Sequence, residues 1–285
     1  MNAALPIEIR LGCQGWSYPD WVGPMYDADT KPERYLRAYA REFSTVEIDS
    51  TFYGTPPLER VARWCATVPE DFTFALKVPR AITHERHLRA SERETAAFFA
   101  SAAAFGTKLE GVLVQLGPDF APDEFEALRA FVDLLPARDM RIALEVRDAR
   151  WFEPAMLARF RDVLGSHGIA LALSDGLFIP LEVMLAEIAQ PTADFLYLRW
   201  LGARDAVQRY DAVRIDRHAH VARWATAIKH APARVRRASG YVNNHYSGHS
   251  PATVRDLLAA LDVPHVQPTR IEQIPLFSSL LGTID

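Results

Sequence analysis

The chain predicts an α/β fold, a (β/α)8 barrel. Short apolar runs of strand length alternate with longer segments of helical period, and eight such pairs follow one another. The length of 285 residues suits this fold, since a barrel of eight such units takes about 250 residues. The structural alternative is a doubly wound open sheet. It is disfavoured because Gly12-Cys13-Gln14-Gly15 lacks the third glycine of a dinucleotide-binding turn and runs into Trp16. Residues 1–285 are expected to form one barrel domain, with 262–285 as a tail packed on its outside.

The elements read in order as follows. Ile9–Cys13 is a strand, and a loop rich in Trp, Tyr, Pro and Gly follows it. Pro32–Phe43 is a helix with Tyr35, Leu36 and Tyr39 on one face. Thr45–Asp49 is the second strand and Leu58–Ala66 a helix. Phe72–Lys77 is the third strand, and the helix Thr95–Phe105 turns Phe98 and Phe99 inward. Gly111–Gln115 is the fourth strand; Pro122 suits the first position of the helix that ends near Leu134. Ile142–Glu145 is the fifth strand, and the helix Pro154–His167 is closed by Gly168. Ile169–Leu173, Phe195–Arg199 and Gly240–Asn243 complete the strands. Helices near Leu181–Ala189, over Ile215–Ala231 and over Pro251–Leu261 complete the outer ring. The segment Leu276–Leu281 is expected to pack on the exterior.

In such barrels the site lies at the C-terminal ends of the strands. There this chain places polar groups where buried strands should be apolar. Val46 and Ile48 share one face of the second strand, while Glu47 and Asp49 share the other. Lys77 ends strand three in phase with Thr73 and Ala75, and Gln115 ends strand four. Glu145 ends strand five with Arg147 in phase, and strand six runs into Asp175. Arg199 ends strand seven, and Asn243, Asn244 and His245 end strand eight. The near balance of Glu47, Asp49, Glu145 and Asp175 against Lys77, Arg147 and Arg199 fits a compact, polyhydroxylated or singly anionic ligand. A polyphosphate site would be more basic, and a multi-metal site richer in His and acids. Loop aromatics, among them Trp16, Tyr18, Phe52 and Tyr53, offer flat faces for stacking. The segment Pro79–His87, which carries His84, is basic and close to Lys77. His245 and His249 are four apart, but in a Gly-containing loop that gives a weak metal signal.

Composition narrows the classes. Apolar residues make up 49% and charged residues 24% of the chain, ordinary for a globular protein. The formal net charge of -4 gives no global field for nucleic acid or anionic membrane, so neither is an expected partner. No apolar run is long enough to span a bilayer, and the start has no signal-peptide pattern. Cys13 and Cys65 lack metal-site spacing and suit a reducing cytoplasm.

These residues also carry a resemblance. Gly15-Trp16-Ser17-Tyr18, Val46-Glu47-Ile48-Asp49-Ser50-Thr51-Phe52-Tyr53, Lys77 with Pro79 and Thr83-His84, Leu113-Val114-Gln115-Leu116, Glu145-Val146-Arg147 with Trp151, Ser174-Asp175, Tyr197-Leu198-Arg199 and Asn243-Asn244-His245 with Gly248-His249-Ser250-Pro251 occur in that order. Together they resemble the YecE-like family, domain of unknown function seventy-two, over roughly Arg10 to Leu261. The resemblance implies a TIM-type barrel and supplies no activity; a relation to sugar isomerases is fold-level analogy. The chain departs from the family pattern at Asp49, where Asn is usual. It departs again at Asp148 and at Trp200-Leu201-Gly202, where histidines are usual.

The functional expectation is a metal-independent enzyme, an isomerase, epimerase or hydrolase, acting on a small carbohydrate-like or phosphorylated substrate without a cofactor. Glu47 or Glu145 would serve as base and Lys77 as electrophile or anion clamp. Glu145→Gln is then expected to hold or raise stability while function falls. The alternatives are a non-catalytic metabolite-binding protein and, less favoured, a metal-dependent nuclease-like barrel. The oligomeric state is not set by the sequence.

Overall fold

The computed structural model describes residues 7–203 and 206–266. It is a closed barrel of eight parallel strands in sequential order. The strands are β1 Glu8–Gln14, β2 Thr45–Ile48, β3 Thr73–Lys77, β4 Leu109–Gln115, β5 Ile142–Glu145, β6 Ala170–Asp175, β7 Phe195–Trp200 and β8 Arg237–Val242. The ring closes where β1 pairs with β8, from Glu8 opposite Arg237 to Cys13 opposite Val242. The helices are α1 Tyr35–Tyr39, α2 Leu58–Thr67, α3 Glu92–Ala103, α4 Phe125–Val132, α5 Pro154–His167, α6 Leu181–Glu187, α7 His218–Lys229, α8 Asn244–Ser247 and α9 Ser250–Ala260.

Most predicted elements appear within a few residues of their expected bounds. The segment Pro32–Phe43 differs most. Its first turn is a 3-10 turn, Pro32–Arg34, and the α-helix stops at Tyr39, because the chain must reverse before Thr45 enters the barrel. The Pro122 helix likewise opens with a 3-10 turn before α4. Gly168 ends α5 in the left-handed region at φ 67°, which a side chain would resist. The second strand ends one residue early, so Asp49 opens a 3-10 turn, Asp49–Tyr53. The expected packing of Leu276–Leu281 lies outside the described residues.

Both faces of the strands are covered, as an all-parallel sheet requires. The outer face feeds a large core between strands and helices, with Val46, Phe74, Leu144, Trp151, Trp200 and Trp224 fully buried. The inner face has its own apolar plug of Ala75, Leu113, Ala143, Ala170, Ala172, Phe195, Tyr197 and Tyr241. Four alanines leave room for three large aromatics, so the barrel centre is filled rather than hollow. Everything polar at the strand ends therefore stands on a solid floor.

Packing on the outer face is close at Gly240, between Trp200 and Leu11. A Cβ there would sit 2.6 Å from Trp200 Cζ3 and 2.8 Å from Leu11 Cδ2. Gly240→Ala is expected to lower unfolding stability by about 1–3 kcal/mol in urea titrations.

Candidate active site at the barrel mouth

The deepest polar tier rests on Arg199. Its inward direction follows from strand phase, since Phe195, Tyr197 and Arg199 alternate with the outward Leu196, Leu198 and Trp200. Arg199 Nη2 and Nε donate to Glu47 at 2.7 and 3.1 Å, and Nη1 donates to Glu145 at 2.7 Å. All three side chains are at most 2% exposed. Tyr197 Oη donates to Glu47 at 2.7 Å from the plug below, and Arg147 Nε donates to Glu145 at 2.8 Å from above. Burial opposes ionisation of Glu145, but the Arg199 and Arg147 guanidiniums overcome it and hold its carboxyl at about 2. Burial, reinforced by the neighbouring Glu47 charge, pushes the Tyr197 hydroxyl well up, so it stays a neutral donor.

Above this floor opens a cavity of 620 Å³, within the range of small-molecule sites. Its wall includes Gln14, Asp49, Lys77, His84, Gln115, Arg147 and Asn243, with Arg199 at its base. Lys77 is held by its backbone: Thr51 Oγ1 accepts from the Lys77 amide at 2.9 Å and donates to its carbonyl at 2.8 Å. Its ammonium lies 3.9 Å from the centre of the Phe52 ring. Among the described residues Lys77 joins no ion pair. Burial first, then the Arg199 charge, bring its ammonium down to about 8, against the pull of Asp49, Glu47 and Glu145. Asp49 is the opposite case. Burial and the neighbouring Glu47 charge push its carboxyl up to about 6, only partly offset by Lys77 and Arg199. His84 is driven down to about 4 by burial and by the Lys77 and Arg147 charges, so the imidazole is neutral at pH 7. Its Nδ1 lies 2.8 Å from Thr83 Oγ1 and its Nε2 3.3 Å from Gln115 Nε2. Because Gln115 Nε2 is a donor, Nε2 accepts and Nδ1 carries the proton.

The wall continues to a rim of Phe52, Tyr53, Arg80, Leu177 and Phe178, together with Leu201, Gly202 and His245. Tyr53 and Leu177 are 76% and 71% exposed, unusual for such side chains. Arg147 stacks over Phe178 at 4.8 Å. His84 sits in a π-helical turn, Ala81–Glu85. Just beyond it His87, Leu88 and Ala90 all have positive φ. Such turns and strained residues are enriched at functional sites.

Five of the residues expected at the mouth are turned elsewhere. Asp175 is in phase with Leu171 and Leu173, so it points out of the barrel. Its Oδ2 accepts from Tyr246 Oη and Trp224 Nε1 at 2.7 and 3.0 Å and lies 2.9 Å from His220 Nδ1. Asn244 Oδ1 accepts from Trp21 and from the amide and hydroxyl of Ser250. His249 is fully buried against the Trp21 edge, with Nδ1 2.8 Å from the Tyr210 carbonyl. Trp16 packs edge-on against Trp64 and Phe74 of the outer core. Tyr18 donates to the Gln14 carbonyl and packs on Trp21 and Tyr210. Each of these groups secures a loop to the barrel. Glu47 and Glu145 also change role: their oxygens are committed to Arg199, Arg147 and Tyr197. Neither is a free base.

Gln14, Phe178 and Leu201 were not foreseen. Gln14 was legible, since it stands in phase with Gly12 at the end of the first strand. It accepts from Asn243 Nδ2 at 2.9 Å, which joins the first and last strands at the mouth. Phe178 had no signal, because it lies in the loop after β6. Asp148, where the resemblance makes histidine usual, accepts from the Arg150 amide and pairs with its guanidinium away from the wall. Among the described residues no group of three His, Cys, Asp or Glu is arranged to hold a metal ion. No helix among them is long and apolar enough to cross a membrane.

An eight-stranded parallel barrel with helices between its strands and a cavity at its C-terminal mouth defines the class: a TIM-barrel protein. The chain belongs to the family described as Protein of unknown function DUF72, whose profile it matches over residues 10–275. It is 32% identical over 144 residues to the UPF0759 protein YecE of Escherichia coli K12, an alignment covering 50% of each chain. It is 30% identical over 192 residues to the UPF0759 protein YunF of Bacillus subtilis, covering 65% of this chain and 64% of that one. The chain thus spans about half to two thirds of the length of these relatives. A DUF72 family protein from Thermotoga maritima superposes with a TM-score of 0.71 at 21% identity, over 90% of this chain and 99% of that one. One from Enterococcus faecalis superposes with a TM-score of 0.68 at 22% identity, over 90% and 99%. These likenesses establish the fold.

Two variants separate floor from wall. Glu145→Gln leaves Arg199 and Arg147 short of a counter-charge and is expected to cost about 3–5 kcal/mol of stability. The Glu145 carboxyl is lower in the folded chain than in the unfolded one. Its contribution is therefore complete above about pH 4.5 and fades as pH falls towards about 2. Asp49 has the opposite sign: its folded carboxyl is raised, so ionised Asp49 weakens the fold above about pH 6. Asp49→Asn is expected to raise stability by roughly 0.5–2 kcal/mol at pH 8. The gain should vanish below about pH 4, where the carboxyl is protonated in both states. Chemical denaturation across pH checks both.

Proposed function

We propose that the barrel mouth binds a small anionic aldehyde- or ketone-bearing compound, of carbohydrate-like or phosphorylated type, and moves a proton beside its carbonyl. The reaction class is isomerisation or epimerisation. One observation carries this reading: Asp49 and Lys77 share a wall, and their environments push their ionisations towards each other, to about 6 and about 8. Pairs of titratable groups moved in this way are the mark of acid–base sites. Asp49 is a carboxylate near its own ionisation point at neutral pH, as a general base should be. Lys77 supplies the electrophile for the developing enolate oxygen. Arg147 and Arg80 face the cavity where an anionic group of the substrate would sit, and Arg offers a bidentate fork to carboxylate or phosphate. The neutral His84 and the Gln115 amide supply hydrogen bonds for hydroxyls.

Hydrolysis of a glycoside fits less well. It asks for two carboxyls flanking the bond, and Glu47 and Glu145 are held by Arg199 below the cavity. A binding protein without turnover would use the same wall, but it has no need of a base and an acid set so close in pH.

The test is hydrogen exchange. A panel of small phosphorylated and carboxylated aldoses, ketoses and oxo acids is incubated with the protein in deuterated water, and loss of the proton beside the carbonyl is followed by NMR. Exchange is expected for at least one member, with a rate rising as pH passes about 6. Asp49→Asn should slow it by at least about 100-fold. Panel members that stabilise the protein thermally but never exchange would replace catalysis by binding alone.

A further inference from the structure

Only four of the 32 Lys and Arg residues of this chain are lysines: Lys31, Lys77, Lys108 and Lys229. Lys31 and Lys229 are exposed, and Lys229 pairs with Asp262 at 2.7 Å. Lys108 donates to the Pro69 carbonyl. Lys77 is the buried one, 8% exposed and on the wall of the cavity. A chain that uses arginine for nearly every cation, Arg80, Arg147 and Arg199 of this same cavity included, has its one buried lysine on that wall. Arginine would bind an anion there at least as well, with a fixed fork of donors. What it lacks is a chemical capacity of lysine: it does not lose its proton and cannot become a neutral nucleophile. The surroundings of Lys77 suit that capacity. Its Nζ lies against the Phe52 ring rather than in an ion pair, and Thr51 fixes its backbone from both sides. Burial first, then the Arg199 charge from β7, lower its ammonium against the pull of Asp49 in the turn after β2, Glu47 of β2 and Glu145 of β5, so it is poised rather than locked as an ammonium.

We propose that Lys77 is a covalent nucleophile that forms an imine with the carbonyl carbon of the substrate. This rests on the cavity reading above and sharpens it, with an iminium in place of an ammonium as the electrophile. Neutral Nζ attacks the carbonyl carbon, the π pair moves to oxygen, and the proton that the now cationic nitrogen sheds passes to that oxygen, giving a neutral carbinolamine. The carbinolamine then loses its hydroxyl as water, using a proton from the Asp49 carboxylic acid, and an iminium remains. Asp49, now a carboxylate, removes the proton beside the iminium carbon, and the electron pair settles as an enamine. Reprotonation on carbon and addition of water return the carbonyl compound and free Lys77. No oxidant or reductant is consumed.

The experiment is reductive trapping. The full chain is incubated with glyoxylate or with dihydroxyacetone phosphate and sodium cyanoborohydride, and adducts on the four lysines are quantified by peptide mass spectrometry. At pH 7.5 an ordinary lysine is about 0.1% neutral, and the lowered Lys77 ammonium leaves a much larger share of that side chain neutral. Label at Lys77 is therefore expected to exceed that at each other lysine by at least about tenfold, with its rate rising through pH 8. Equal or weaker label at Lys77 overturns the proposal. Lys77→Arg supplies the second arm. It keeps the positive charge, so a non-covalent ammonium role predicts partial survival of proton exchange, while the imine predicts its loss. The alkaline limb divides the two roles again: exchange that falls above pH 8 belongs to an ammonium and counts against the imine. Exchange without label at Lys77 removes the covalent step and leaves the cavity reading standing. Neither exchange, label nor thermal stabilisation by any probe removes both.

Discussion

The contact of Arg199 with Glu47 and Glu145 is the constraint on which the rest of the mouth depends. A guanidinium taken out of water costs several kcal/mol unless its donors are met. Here three of its nitrogens face two carboxylates at 2.7 to 3.1 Å. The contact ties β7 to β2 and β5, which are not its neighbours in the sheet. The planar fork makes this possible, since a lysine ammonium could not engage two carboxylates in fixed directions. Below it the Tyr197 hydroxyl meets Glu47, and the aromatic plug closes the barrel. The result is a charged but rigid floor, which lets a cavity exist above it without collapsing.

The same floor divides the acids of the mouth into two kinds. Glu145 is held at about 2 by two guanidiniums, while Asp49 is raised to about 6 by burial and by Glu47. Glu47 thus acts twice: it completes the shell of Arg199, and its charge makes Asp49 a better base. Lys77 is affected in the mirror sense, because burial and then the Arg199 charge act against its ammonium. Structural pairing and tuning are one arrangement, and a change to the floor is felt at the wall.

The loops divide in a similar way. Tyr18 packs on Trp21 and Tyr210, and Trp16 packs on Trp64 and Phe74, so the loop after β1 is anchored. Tyr53, Leu177 and Phe178 stand exposed at the rim, beside the half-buried Phe52. Between them the segment after β3 carries a π-helical turn and three non-glycine residues at positive φ. It is fastened by Glu124, which meets both His87 and Arg89. Among the described residues, three of the four non-glycine residues at positive φ therefore follow shortly after His84.

The sequence by itself determined the barrel, the order of its strands and the inward phase of Glu47, Lys77, Gln115, Glu145 and Arg199. Those follow from period-two alternation and from the uniform burial of parallel strands, which are local properties. Phase also held the answer for Asp175, whose position beside Leu171 and Leu173 marks it as outward. Which charges pair was decided only by the tertiary structure, because Glu47 and Arg199 are 152 residues apart and meet across the barrel. The demotion of Glu47 and Glu145 from base to floor follows from that pairing, and it leaves Lys77 without an ion pair among the described residues. The aromatic loops were equally undecided in sequence. A tryptophan that stacks on a ligand and one that pins a loop look alike until the surfaces they meet are in place.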